Sequence, residues 1–287
     1  TNLGKVYTRK AYLIPESSRT AKGTNIVNIL ELEAGEKITA IIPIDTFDES
    51  ELLTMITKQG VIKRTSVSEY IYQRKNGKRA ISLDEGDELF AVLRTDGERD
   101  IIIATRDGFA TRFEEGNVRS MGRTARGVKG ITLGEGDEVC GVVVVEEGKQ
   151  LLTITEYGYG KRTEFDDFRC MVHRGGKGVG AHKITEETGR IASIAAVSDS
   201  DDVMLITNNG IIIRVHADSI STYSRTAKGV RMMRLDEGAS IVRFTCVERE
   251  EEEDAVVIDE TALVEDEASA AEASRAHAAE SEQNSQQ

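Results

Sequence analysis

Short apolar runs, rich in β-branched residues, recur along the chain about every fifty residues. Four of these runs, LLTMIT, IIIAT, LLTIT and VMLIT, end at Thr57, Thr105, Thr155 and Thr207. A glycine follows each of these threonines three residues later, and a second short run follows the glycine. Two short runs on either side of a glycine turn predict a β-hairpin.

The second half of each unit repeats the same order of features. A basic glycine loop comes first, and along the chain it reads RTAKG, RKNGK, RTARG, RGGKG and RTAKG. An apolar run follows, then an acidic glycine turn such as LDEGD or TEETG, and then a last apolar run such as LFAVLR or VCGVVVV. Four short strands in a repeat of about fifty residues are typical of propeller blades.

We therefore predict an all-β fold, a propeller-like ring of about five four-stranded blades built from residues 1–247. The five units, numbered 1 to 5 below, cover residues of about 1–47, 48–95, 96–146, 147–198 and 199–247. The blade of unit 1 is predicted to be incomplete, because Thr1 and Gly4 stand where the first apolar run of the unit ends. We accordingly expect the parent protein to continue before Thr1.

Charge is distributed unevenly along the 287 residues, whose formal net charge is −13. Residues 248–287 hold 14 acidic and 2 basic residues, which leaves 36 acidic and 35 basic residues in 1–247. The acidic tail has few apolar anchors, so we expect it to be disordered. The balanced remainder can still carry a positive stripe if its charges are segregated.

Cations recur in two places of each unit, and both are candidate DNA-binding positions in the rim loops. The first set follows the hairpin glycine and consists of Lys63, Arg64, Arg112, Lys161, Arg162 and Arg214. The second set lies in the basic loops and consists of Arg19, Lys22, Arg74, Lys75, Lys78, Arg79, Arg123, Arg126, Arg174, Lys177, Arg225 and Lys228, with Gly175, Gly176 and Gly178. Glycine beside a cation lets backbone amides approach a phosphate. The alternative is that these cations pair with the acidic turns of neighbouring units and only hold the blades together.

Signals for catalysis are poor. Cys140, Cys170 and Cys246 stand alone, and the four histidines are scattered, so no metal site is predicted. We find no Ser/His/Asp arrangement or phosphate-binding loop of an ATPase, and we expect no catalytic residue and no cofactor in this stretch. No apolar run approaches the roughly 18 residues that a membrane helix needs. A non-catalytic propeller that serves as a protein-interaction scaffold remains an alternative to DNA binding, and an enzymatic propeller is a weaker one.

Three stretches carry a resemblance to a known family. The runs GYGKRTEF, VRSMGRTARGVKGITLGEGDEV and SRTAKGVRMMRLDEG, together with the acidic tail, resemble the C-terminal domain of the DNA gyrase A subunit over residues 1–247. The corresponding domain of topoisomerase IV is a near neighbour, and the regular units and the tail favour gyrase. The resemblance implies a β-pinwheel, in which neighbouring blades exchange strands and duplex DNA wraps around a basic outer rim.

The resemblance also implies a larger enzyme. Its partners would be double-stranded DNA, the remainder of the gyrase A polypeptide in a homodimer, and the gyrase B polypeptide in an A2B2 heterotetramer, in the bacterial cytoplasm on the chromosome. The whole enzyme, a type II topoisomerase, introduces negative supercoils with ATP. Its catalytic tyrosine, Mg²⁺ site and ATPase lie outside this stretch. None of the tyrosines here is therefore assigned that role: Tyr7, Tyr12, Tyr70, Tyr72, Tyr157, Tyr159 and Tyr223.

One departure from the family concerns its wrapping motif, which reads QRRGGKG and belongs to the first blade. The nearest match here is VHRGGKG, Val172–Gly178, in unit 4. Val172 and His173 replace the glutamine and the first arginine. We interpret this stretch as a box-like blade loop, and we expect the box itself to precede Thr1, so that DNA binding by this chain need not include full wrapping.

Overall fold

The described residues of the computed structural model are 1–18, 20–72 and 76–249. They include eighteen strands, most of them joined by short turns, and a longer connection over residues 7–51 between the first two strands. The strands are β1 Lys5–Val6, β2 Leu52–Thr57, β3 Val61–Ser66, β4 Lys78–Arg79, β5 Leu89–Thr95, β6 Asp100–Thr105, β7 Phe109–Glu114, β8 Val128–Lys129, β9 Val139–Val144, β10 Gln150–Thr155, β11 Tyr159–Glu164, β12 Cys170–Met171, β13 Val179–Gly180, β14 Ile191–Val197, β15 Asp201–Thr207, β16 Ile212–His216, β17 Val230–Arg231 and β18 Ile241–Glu248. Six short 3-10 helices cover Ala11–Leu13, Ile26–Asn28, Val67–Tyr70, Glu115–Asn117, Phe165–Asp167 and Ala217–Ser219.

The repeated threonine and glycine build the hairpin turns. Gly158 has a φ of +82°, a conformation that costs a residue with a side chain free energy. The hydroxyl of Thr155 accepts a hydrogen bond from the backbone N–H of Tyr159 at 3.2 Å and so closes the turn. A Cβ at Gly158 would also lie 2.5 Å from the carbonyl oxygen of Met233 in the next unit. The glycine therefore serves both the turn and the close approach of two units.

Each full sheet contains a strand that comes from the following unit. The strand orders are β5-β2-β3-β8, then β9-β6-β7 with β12 and β13 on β7, then β14-β10-β11-β17, and finally β18-β15-β16. β8 belongs to unit 3, β12 and β13 to unit 4 and β17 to unit 5, so the neighbouring units exchange strands. In the same way β1 of unit 1 pairs with β4 of unit 2.

The exchanged strands lie at the outer edge of the sheets. At the opposite edge, β5, β9, β14 and β18 contact one another in succession from sheet to sheet. Buried apolar side chains fill the spaces between successive sheets, as in the cluster that joins Leu152 and Ile154 to Val203 and Leu205. The predicted all-β propeller-like fold is confirmed, with four blades; unit 1, predicted as an incomplete blade, has β1 as its single strand among the described residues.

The folded part extends slightly further than the predicted residue 247. β18 includes Glu248, and Arg249 donates hydrogen bonds to the carboxylates of Asp202 and Asp218, each at 3.2 Å. Residues 1–249 form one compact unit. The disorder predicted for the acidic tail concerns residues 250–287, which lie outside the described residues. Among the residues described, no helix is long and apolar enough to cross a membrane.

Candidate nucleic-acid interface

Two lysines of the first cation set are buried and cannot meet a phosphate. Lys63 and Lys161 are 0% exposed. The ammonium of Lys63 donates to two carbonyl oxygens, including that of Arg123, and the ammonium of Lys161 donates to the carbonyl oxygens of Ser224 and Arg225. Burial lowers the pKa of each lysine to about 8. Both lysines, predicted as DNA contacts, instead fasten a hairpin strand to the basic loop of the next unit.

Three arginines of the first set are also structural. Each donates to a backbone carbonyl at a 3-10 helix of the following unit, and Arg64 and Arg162 are buried as well. The donor and acceptor residues are Arg64 with Val118, Arg112 with Phe165 at 2.8 Å, and Arg162 with Ile220 at 2.7 Å. A guanidinium that fills this role has little surface left for DNA, and DNA binding by these three arginines stays a prediction.

Arg214, the last member of the first set, is more exposed than the others. Its Nε donates to the buried carboxylate of Asp202 at 2.5 Å. His216 and Arg249 contact the same carboxylate, and its pKa is lowered to about 2, with the hydrogen bond from His216 as the main cause. Arg214 therefore neutralises a buried charge, and its role as a DNA contact stays a prediction.

In units 3 to 5, the arginine that opens the basic loop reaches back to the preceding unit. These residues, the anchor arginines, are Arg123, Arg174 and Arg225, and all are half-buried. Each donates through one terminal nitrogen to a carbonyl on an outer strand: Arg123 to Arg79 at 2.6 Å, Arg174 to Lys129 at 2.7 Å, and Arg225 to Gly180 at 2.7 Å. A guanidinium has five N–H donors, so this contact does not exhaust its capacity.

Three residues further along the loops of units 3 to 5 stands an exposed cation. These residues, the distal cations, are Arg126, Lys177 and Lys228. Arg126 donates both its Nε and a terminal nitrogen to Asp84, and Lys228 pairs with Glu187 at 3.0 Å. Lys177 lies over the ring of Phe109, 5.0 Å from its centre.

The glycines of the box-like loop differ in role. Gly175 and Gly178 have φ values of +85° and +79°. A Cβ at Gly178 would lie 2.3 Å from the carbonyl oxygen of Ala110, so this glycine permits the loop to pass close to β7. Gly176 is exposed and has open space around it. Gly175 and Gly178 are therefore needed for the loop conformation, whereas Gly176 leaves its surroundings open to a ligand.

Of the remaining predicted cations, the structure describes some and leaves others outside the described residues. Lys22 and Arg79 are exposed, and the ammonium of Lys78 lies 5.6 Å from the ring centre of Tyr72. The predicted residues outside the described part of the chain are Arg19, Arg74 and Lys75.

Several exposed cations at the outer edge were not predicted. Lys129 and Arg231 occupy the second position of β8 and β17, as Arg79 does in β4. Arg119 and Arg169 are exposed just after two of the 3-10 helices, fifty residues apart. The repeat spacing alone could have identified these residues, because each stands one unit length or a multiple of it from another cation.

The described residues offer no group of three or more His, Cys, Asp or Glu side chains that could hold a metal ion. His182 is buried between Thr153 and the carbonyl oxygen of Lys228, and burial lowers its pKa to about 4. The imidazole is therefore neutral and serves packing. What the outer edge can do chemically is bind anions through exposed cations that recur from unit to unit.

Comparison with known proteins points to one family. A protein-family model described as "DNA gyrase C-terminal domain, beta-propeller" matches residues 1–45, 51–96, 99–146, 149–198 and 201–248. The DNA gyrase A subunit of Clostridium acetobutylicum is 51% identical over 253 residues, which are 88% of this chain and 30% of that protein. Its counterpart in Halalkalibacterium halodurans is 49% identical over 267 residues, 93% of this chain and 32% of that protein. The chain thus spans about a third of the length of these relatives.

Two solved structures share the fold. A C-terminal domain of DNA topoisomerase IV superposes with a TM-score of 0.81 at 26% identity, and the match covers 86% of this chain and 77% of that one. A DNA gyrase A C-terminal domain superposes with a TM-score of 0.73 at 27% identity, covering 85% and 80%. Fold similarity does not separate the two types, whereas the sequence identities above are to gyrase proteins.

Proposed function

Because the chain belongs to the family of DNA gyrase C-terminal domains, we propose that residues 1–249 bind double-stranded DNA along the outer edge of their sheets. The observation that carries the proposal is the recurrence of exposed cations there, such as Lys129, Lys177 and Arg231. Contacts to phosphates position a duplex but carry no sequence information. The binding we propose is therefore independent of base sequence.

We propose that the duplex bends as it follows this edge from unit to unit. Bending 20–30 bp costs on the order of 1–6 kcal/mol, so several contact clusters must share the cost. The proposed contacts are the loop cations Arg19, Lys22, Arg74, Lys75, Lys78, Arg79, Arg123, Arg126, Arg174, Lys177, Arg225 and Lys228, with Lys129, Arg119, Arg169 and Arg231 added.

For the parent protein we propose the role of the A polypeptide in a bacterial gyrase. This chain would present a wrapped DNA segment to the remainder of that polypeptide and to the gyrase B polypeptide, in an A2B2 enzyme on the chromosome. ATP hydrolysis, Mg²⁺ binding and DNA cleavage would occur outside this stretch, and negative supercoiling would be the outcome. The 49–51% identity to gyrase proteins supports this assignment. Topoisomerase IV is the alternative, supported by the TM-score of 0.81; relaxation without supercoiling by the complete enzyme would favour it.

A protein-interaction scaffold is the second candidate, because two of the three distal cations are paired across a unit boundary. Arg126 with Asp84, and Lys228 with Glu187, are the ion pairs that a structural role for these cations predicts. Exposed ion pairs stabilise a protein little, by about 0–1 kcal/mol, so a phosphate can displace either carboxylate. The pairing therefore does not exclude DNA binding.

Binding of the full chain to a labelled linear duplex across a salt series tests the proposal. We expect affinity to fall steeply with salt, with a logarithmic slope of about −0.9 for each phosphate neutralised. Duplexes of unrelated sequence should bind equally well. A slope near zero, or no binding at low salt by a chain that is folded by circular dichroism, would contradict DNA binding and favour the scaffold.

A further inference from the structure

The three distal cations are not equally available, and the difference lies in the preceding unit. Arg126 is held by Asp84 and Lys228 by Glu187, whereas no acidic side chain within the described residues lies within ion-pair distance of Lys177. Lys177 stacks on an apolar ring, which leaves its ammonium donors free for another ligand.

The backbone shows why Lys177 lacks a carboxylate partner among the described residues. The N–H of Ser82 donates to the carbonyl oxygen of Ala125 at 3.2 Å, directly before Arg126, and Asp84 follows Ser82 by two residues. In the next unit the N–H of Thr132 donates to the carbonyl oxygen of Gly176 at 3.0 Å, directly before Lys177. The residue two positions after Thr132 is Gly134. In unit 4 the N–H of Lys183 makes the matching bond before Lys228, and Glu187 follows Lys183 by four residues. Glycine thus stands at both positions from which a carboxylate would reach Lys177, as Gly134 and Gly136.

The same loop also lacks the lysine contact that two other basic loops have. Thr111 occupies the place of the buried lysines, three residues after the hairpin glycine, and its buried hydroxyl has no hydrogen-bond partner among the described residues. In units 2 and 4 the ammonium of Lys63 and of Lys161 fastens the basic loop of the next unit. The box-like loop of unit 4 has no such lysine beneath it and is held instead by hydrogen bonds of Arg174 and Gly175 to the carbonyl oxygens of Lys129 and Gly130.

We propose that the loop Arg174–Gly178 is the main phosphate contact among the loops of units 3 to 5, and that Gly134 makes it so by leaving Lys177 without a carboxylate. The inference rests on the proposed function. At the other two loops a phosphate must first displace a carboxylate, whereas at Lys177 it meets an uncompensated cation. The acidic turn of each unit thereby sets how strongly the loop of the next unit contacts DNA.

The substitution Gly134→Asp tests this inference, because the site accepts a side chain. Gly134 does not have a positive φ, and a Cβ there would have no heavy atom nearer than 3.9 Å. We expect the affinity of the full chain for a linear duplex at low salt to fall about fivefold, equivalent to about 1 kcal/mol for an exposed ion pair. The salt slope should become shallower by about 0.9. Gly134→Asn, which adds the same volume without charge, should bind like the unchanged chain.

Two further variants separate pairing with Lys177 from a general effect of negative charge. In a Lys177→Ala background, Gly134→Asp should lower affinity no further. Asp84→Asn should raise affinity about fivefold, because it frees Arg126. The inference is overturned if Gly134→Asp binds like Gly134→Asn, or if it lowers affinity equally with and without Lys177, while the unchanged chain still binds DNA steeply with salt. If the unchanged chain does not bind at all, the proposed function fails and the inference fails with it.

Discussion

The buried ammonium of Lys161, which joins two units through hydrogen bonds, gives a quantitative test of its desolvation. Its pKa is lowered from 10.5 to about 8, chiefly because burial removes water from the charge. Two carbonyl oxygens accept hydrogen bonds from it, and a neutral amine has two N–H donors that can serve both. The folded chain can therefore release this proton without losing either contact.

The sign of the effect follows from the two pKa values. Below pH 8 the lysine is charged in both states, and the folded state carries the full desolvation penalty. Between about pH 8 and pH 10.5 the folded chain loses the proton while the unfolded chain keeps it, so the penalty disappears and stability rises. A shift from 10.5 to about 8 corresponds to about 3 kcal/mol at about 1.4 kcal/mol per pH unit.

The assay compares urea unfolding of the unchanged chain and of Lys161→Met from pH 7 to pH 11. The difference in free energy of unfolding between them should increase in favour of the unchanged chain by about 3 kcal/mol. Lys129→Met, at an exposed lysine, is the matched control and should run parallel to the unchanged chain. If Lys161→Met also runs parallel over the whole range, the lysine is not desolvated and the reasoning is wrong.

Three further predictions concern other parts of the chain. Gly158→Ala should lower the free energy of unfolding by about 1–3 kcal/mol, since it strains a positive φ and meets the carbonyl of Met233; Gly210→Ala, with a φ of +85° and no atom near its Cβ, should cost less in the same urea titration. His182, with a pKa lowered from 6.5 to about 4 by burial, stays neutral in the folded chain while the unfolded chain takes up a proton, so stability should fall as the pH drops between these values; His182→Gln should lose that dependence. Removal of residues 250–287, which hold 13 acidic residues and 1 basic one, should raise DNA affinity at low salt, and an unchanged affinity would show that the tail does not compete for the rim.

The fold could be predicted because turn chemistry repeats in the sequence. Positive-φ glycines such as Gly60 and Gly158 recur at a regular spacing in the sequence, and this signal does not depend on distant residues. The exchange of strands between units has almost no signal in the sequence, since β8 and β17 are two residues long and pair across about seventy residues. Only the resemblance to a family implied it. Pairing over such a distance is decided by packing between units and not by local preference.

The hairpin lysines, predicted as DNA contacts, are buried for a physical reason. In a sheet with one solvated face, a lysine such as Lys63 would point to water. Here the sheet that contains β3 packs against apolar clusters on both sides, so both faces of β3 are buried: Lys63, Arg64 and Thr65 follow one another with none above 8% exposed. Consecutive cations in a strand without alternation are the signal that a sheet is covered on both sides.

A cation can thus recur at the same position of several units without contacting a ligand. Lys63 and Lys161 recur because an ammonium can satisfy two carbonyls of an adjoining loop, and the anchor arginines recur because their guanidinium joins two units. A cation that contacts DNA differs from one that only joins two units in the charge around it. This charge differs between units even where the cation is the same. Arg126 and Lys177 share a register, but Asp84 faces one and Gly134 stands at the matching place for the other. The residue that stands across the unit boundary, aspartate or glycine, therefore indicates which loop cation is available to DNA. The cations alone do not indicate this.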